Sequence, residues 1–134
     1  MWDGTNDADS CPNSGSAHLS YYSFAFGQLS QCLNIGAGAY RFGYRFKQAA
    51  LGYDDGVYCE VDAYAGTGCN TANSPLTTMM YKSGPASTSW TSPSLSTTFV
   101  APSNTGSIYI LCGLNGLSDS WIDQVYLSTN SGGY

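Results

Sequence analysis

The sequence predicts an all-β sandwich or barrel. Short alternating segments run the length of the chain, clusters of Gly, Pro, Asn and Ser separate them, and no stretch has a convincing helical period. Charged residues are only 10 % of the 134, against thirty Ser and Thr and 16 Gly. Lys and Glu are the usual solvent-facing formers of helices, so their scarcity points the same way.

Residues 1–15 read as polar, acid-rich loop. In SAHLSYYSF (16–24) His18, Ser20 and Tyr22 share a face opposite Ala17, Leu19 and Tyr21, which leaves Tyr22 exposed. QLSQCLNI (28–35) is the next bounded run. In AYRFGYRFK (39–47) Tyr40, Phe42, Tyr44 and Phe46 are expected to point inward, with Tyr44 the one to reach an edge, while Arg41, Gly43, Arg45 and Lys47 point out. FKQAALGY (46–53) has room for a single helical turn. GVYCEVDAY (56–64) alternates Val57, Cys59, Val61 and Ala63 with Tyr58, Glu60, Asp62 and Tyr64, so the first set is expected in the core and the second on the surface. TTMMYKS (77–83), SLSTTFVA (94–101), SIYILCGL (107–114) and SWIDQVYLS (120–128) complete about eight strands. The C-terminal STNSGGY has linker-like composition, so 1–128 is expected to form one domain and 129–134 a tail.

A formal charge of -5 with only four basic residues excludes nucleic acid as the expected partner, because phosphate neutralisation needs clustered Lys and Arg. No apolar run of about 18 residues exists, so membrane insertion is not expected. The opening MWDGTNDADS has neither the basic start nor the apolar stretch of an export signal.

Five cysteines in a Lys-poor, Ser/Thr-rich chain point to an oxidising compartment, with two bridges and one thiol left over. Cys59 and Cys69, joined across an AGTG turn, are the expected first pair. Cys112 shares its parity with Ile108 and Ile110 and is expected as a buried free thiol, which leaves Cys11 with Cys32.

If AYRFGYRFK and VYCEVDAY share a sheet, one surface carries Arg41, Arg45, Tyr58, Glu60, Asp62 and Tyr64. Planar aromatic faces pack on the C–H faces of sugar rings, and carboxylates and guanidinium groups hydrogen-bond to hydroxyls. Trp90, in the polar stretch ASTSWTSPS, Tyr22, and Tyr53 beside Asp54 and Asp55 are further stacking candidates, while Trp2 and Trp121 read as packing residues. Catalysis is not expected. Glu60 and Asp62 lie about 7 Å apart along an exposed strand, with no apolar pocket to raise an acid's pKa. His18 is the only histidine, and no GxSxG nucleophile elbow occurs.

SGSAHLS, QCLNI, GAYRFGYRFK, GVYCEVDAY, TSWTSPSLSTTFVAPS, SIYILCGL and WIDQVYL, in that order, resemble the successive strands of secreted carbohydrate-binding modules with the galactose-binding-domain-like jelly-roll fold. The most telling pieces are SGS before a strand, Q-x-L-x-I before a Gly-Ala-Tyr strand, and the closing W-x-D-x-V-x-L. The resemblance implies a jelly-roll β-sandwich of two antiparallel sheets, and a non-catalytic module that binds a polysaccharide or oligosaccharide as part of a larger secreted protein. It also implies a structural calcium ion. Asp123 shares parity with Val125 and Leu127, and a carboxylate on a core face needs a partner. Asp123 and Asp9 are the expected side-chain ligands, with carbonyls from the loop before SGSAHLS and help from Asp3 or Asp7. Such modules usually begin with a further strand that this sequence lacks before Trp2. A structural or adhesive module that pairs with another chain through an open sheet edge is therefore the alternative.

Overall fold

The computed structural model describes residues 1–6, 8–9, 15–22, 25–49, 56–82, 87–92, 98–114 and 118–129, apart from the side chains of 21, 22, 25, 26, 81 and 82. The strands are β1 (Trp2–Asp3), β2 (Ser16–Leu19), β3 (Tyr21–Tyr22), β4 (Ala25–Phe26), β5 (Gln28–Leu33), β6 (Gly38–Gln48), β7 (Val57–Ala65), β8 (Thr77–Lys82), β9 (Thr98–Ala101), β10 (Thr105–Leu114) and β11 (Ser120–Thr129). They form a five-stranded sheet in the order β1-β2-β11-β6-β9, a four-stranded sheet in the order β5-β10-β7-β8, and a β3-β4 hairpin, with every pairing antiparallel. The expected jelly-roll β-sandwich is therefore the fold, with the run 16–24 divided between β2 and the hairpin. No helix of the described residues is long and apolar enough to cross a membrane.

The core lies between the two large sheets. From β6 come Tyr40, Phe42, Tyr44 and Phe46, and from β7 Val57, Cys59, Val61 and Ala63; Ile108, Ile110, Cys112 and Leu114 of β10 and Phe99 and Ile122 complete it. Truncating Phe42 or Phe46, both fully buried, would cost about 3–5 kcal/mol. Tyr44 does not reach an edge. It is 2 % exposed and its hydroxyl donates to the Val57 carbonyl at 3.2 Å, as a buried polar atom must.

Three expectations are corrected. First, β6 and β7 lie in different sheets, so Arg41 and Arg45 are on the opposite side of the sandwich from Tyr58 and Glu60. Second, the disulfides join Cys32 to Cys69 and Cys59 to Cys112, so neither expected pair forms and Cys112 is not free. Cys59 and Cys112 stand directly opposite on neighbouring strands, both fully buried, which puts two thiols side by side in the core. Cys11 lies outside the described residues. Third, Asp123 does not point into the core. Ile122 stands opposite Phe46 and Leu127 opposite Phe42, five residues against four, so β11 carries a bulge and Gln124 takes a left-handed φ of 50°. The extra residue reverses the parity, and Asp123 faces outward opposite Arg45.

Candidate functional site

The outer face of the four-stranded sheet is built by the half of β7 that the core does not use. Register sets Tyr58 beside Gly113 of β10, Glu60 beside Leu111 and Met80, and Asp62 beside Tyr109 and Thr78. The Tyr58 ring lies down across Gly113. A methyl group on that glycine would fall 2.9 Å from the tyrosine hydroxyl and 3.0 Å from Cζ, closer than packed side chains approach. Gln28 of β5, opposite Gly113, donates from Nε2 to the same hydroxyl at 3.1 Å. The ring is thus pinned, half-buried, with its remaining surface outward. Met80, 49 % exposed, and Leu111 extend the apolar patch around Glu60.

Asp62 and Tyr64 are not surface residues, contrary to expectation: each is only 5 % exposed. A loop is fastened at the Tyr64 end of the face. Ser107, opposite Tyr64, donates to the Gly66 carbonyl at 2.8 Å and accepts from the Cys69 amide at 3.0 Å. The Gly68 amide reaches Asn34 Oδ1 at 2.8 Å, and the bridge to Cys32 fastens the loop to β5. On the other side of β7, Thr78 Oγ1 donates to Asp62 Oδ1 at 2.5 Å. Burial, then a hydrogen bond to Asp62 and the Asp62 charge, hold the Glu60 carboxyl above its ordinary range. Burial and the charges of Asp62, Glu60 and Tyr109 likewise raise the Tyr64 phenol.

The outer face of the five-stranded sheet holds the other expected ligand residues. Lys47 Nζ sits 5.3 Å from the Trp90 ring centre and 5.2 Å from that of Trp121, and His18 stacks on Trp121 at 4.8 Å. Trp90 is therefore committed to this cluster, away from Tyr58. Trp121 Nε1 donates to Asp3 at 2.7 Å; hydrogen bonds from Thr5, Asn6 and Trp121 hold the Asp3 carboxyl well below its ordinary value. The side chain of Tyr22, and Asp7, Tyr53, Asp54 and Asp55, lie outside the described residues.

The expected calcium ligands Asp9 and Asp123 do come near each other. Asp123 accepts from the Ala8 amide at 3.0 Å and the Gln124 amide at 2.7 Å, and Asp9 accepts from the Gln124 side chain. Their cation is a guanidinium: Arg45 lies 3.8 Å from Asp9 and donates to the Ala8 carbonyl at 3.2 Å. Among the described residues no three His, Cys, Asp or Glu side chains gather as a metal set. Asp7 and residues 10–14, which belong to the rest of the expected calcium set, lie outside the described residues; within the described ones Arg45 is the cation beside Asp9.

The chain is similar over most of its length to several solved structures, three of which follow. The enzymatically active domain of bacteriophage CBA120 tailspike protein 4 has a TM-score of 0.69 at 12 % identity over 93 % of this chain, which spans only 17 % of that one. Family 16 carbohydrate-binding module-2 has a TM-score of 0.57 at 16 % identity, covering 90 % of this chain and 79 % of that one. TmCBM61, solved with β-1,4-galactotriose, has a TM-score of 0.51 at 20 % identity, covering 87 % and 72 %. The architecture is that of solved carbohydrate-binding modules. At these identities the likeness is one of fold. No family model matches the chain, and no curated protein does.

Of the eight expected ligand residues, the face keeps Tyr58 and Glu60 accessible. Sequence reasoning missed Gln28, Met80, Leu111 and Gly113. The signal for two of them was present: in SIYILCGL the parity that buries Ile108, Ile110 and Cys112 turns Leu111 and Gly113 outward.

Proposed function

We propose that this protein is a non-catalytic module that binds a polysaccharide or oligosaccharide on the outer face of its four-stranded sheet. The Tyr58 ring, laid over Gly113 and fixed by Gln28, carries the proposal. A sugar ring stacks on that aromatic surface, and Glu60 and Gln28 beside it offer hydrogen bonds to hydroxyls. The fold shared with two carbohydrate-binding modules supports it. TmCBM61 was solved with a galactose oligomer, which makes neutral oligosaccharides the first ligands to try.

Hydrolysis is a poor fit to the same residues. Glycosidases hold their two carboxyl groups about 5 Å or more apart, so that a sugar or a water stands between them. Asp62 is instead buried, with Thr78 donating to its carboxylate, so it does not open with Glu60 onto a shared groove. The two disulfides support a secreted setting, in which the module holds an attached enzyme or cell surface near its glycan. One platform gives weak affinity, strengthened when several modules engage one polymer.

The test is affinity electrophoresis through gels containing galactan, mannan, xylan or β-glucan, with wild type and Tyr58→Ala. Retention by at least one neutral polymer, abolished in the variant at unchanged melting temperature, is the expected result. Equal retention of both proteins, or none by either, would overturn the proposal.

A further inference from the structure

The opposite sheet carries a tyrosine arranged as Tyr58 is, but set among arginines. Tyr126 of β11 stands opposite Gly43 of β6. A methyl group on Gly43 would fall 2.5 Å from the Tyr126 hydroxyl and 2.6 Å from Cε1 and Cζ, so the ring lies across the glycine. It is half-buried.

Register fixes what surrounds it. Ser128 is opposite Arg41, which makes Arg41 the diagonal neighbour of Tyr126 on one face, at the roughly 7–8 Å backbone separation that a guanidinium spans. Arg41 is exposed, and among the described residues no acid pairs with it. Arg45, on the other side, is neutralised by Asp9. A cavity of about 410 Å³ opens beside the ring, lined by Asp9, Gln124, Val125 and Tyr126. The bulge that shapes this wall holds Gln124, a non-glycine residue, at a φ of 50°. Such outliers persist where the surroundings enforce them, and they cluster at ligand sites.

We infer a second saccharide site here, one that takes an acidic sugar, with the pyranose ring stacked on Tyr126 and its carboxylate held by Arg41. Charge complementarity selects the occupant. Among the described residues Arg41 is the cation of this face that no acid answers, since Arg45 faces Asp9 and Asp123 and Lys47 sits over Trp90 and Trp121, whereas the Tyr58 face presents Glu60 with Asp62 beneath it. A guanidinium reads a planar carboxylate with two parallel hydrogen bonds, which neutral hydroxyls cannot match. The two platforms face opposite ways, so one molecule can hold a neutral and an acidic strand together.

Titration of trigalacturonate into 15N-labelled protein, followed by amide shifts, tests this. The expected result is movement at Arg41, Gly43 and Tyr126 with Tyr58 and Gly113 unmoved, and at least a tenfold weaker affinity in Arg41→Met. That variant changes an exposed side chain and retains the fold. Tyr58→Ala should bind trigalacturonate as wild type does. No binding at millimolar trigalacturonate, shifts confined to the Tyr58 face, or full affinity in Arg41→Met would each overturn the inference. A parallel titration with neutral galactotriose separates the two sites: its failure would count against the Tyr58 platform alone.

Discussion

The Cys32–Cys69 bridge should control both the stability of the sandwich and the closure of its outer face. Replacing both residues by serine frees a loop of 37 residues. On the chain-entropy relation, the unfolded state then regains about 13 cal/mol/K, or roughly 4 kcal/mol at 25 °C. With an unfolding entropy near 2.1 cal/mol/K per residue for a chain of this length, the melting temperature should fall by about 14 °C. The loop that the bridge fastens also bonds Ser107, which stands opposite Tyr64, so its release should wet that tyrosine. In the wild type, burial and neighbouring negative charges raise the Tyr64 phenol. In the variant that phenol should therefore ionise at lower pH, nearer its ordinary value of 10.0. Calorimetry without reductant gives the first number, and ultraviolet absorbance between pH 8 and 12 gives the second, with Tyr64→Phe to assign the signal. A fall of less than about 3 °C together with an unchanged Tyr64 titration would refute the reasoning.

Three further outcomes are expected. Gly113→Ala should lift the Tyr58 ring and weaken neutral oligosaccharide binding about tenfold in calorimetric titration, because its new methyl group would meet the hydroxyl at 2.9 Å. Glu60→Gln should reveal a pH-dependent penalty. The folded-state pKa of Glu60 is raised, so the stability it contributes is full below its ordinary 4.5 and is lost as pH rises through the raised value. Melting temperatures of variant and wild type should coincide at pH 4, with the variant higher at pH 8; a variant less stable at pH 8 contradicts the assignment. Dialysis against a chelator should leave the melting temperature unchanged, because Arg45 is the cation facing Asp9 and Asp123; a drop of several degrees would restore calcium to that place.

The sandwich was legible because period-two alternation survives in β6, β7 and β10, where one face must be dry. Parity failed at the bulge in β11, because one extra residue at Gln124 leaves no mark in composition yet turns Asp123 outward. Sheet membership is non-local, so nothing near Arg41 or Tyr58 announces that β6 and β7 belong to opposite layers. The cysteines show the same limit. Cys59 meets Cys112 across a separation of 53 residues, which no local turn signals. The buried state of Asp62 and Tyr64 is equally invisible to alternation, and the loop tied from Cys69 to β5 beside them is again a contact between distant segments.

The platform at Tyr58 is tested most directly by titrating neutral galactotriose into 15N-labelled protein and mapping the amides that move. Shifts should centre on Gln28, Tyr58, Glu60, Leu111 and Gly113 and vanish in Tyr58→Ala. Shifts confined to the loops at the ends of the sandwich, or a response that persists in Tyr58→Ala, would contradict a saccharide platform on this sheet.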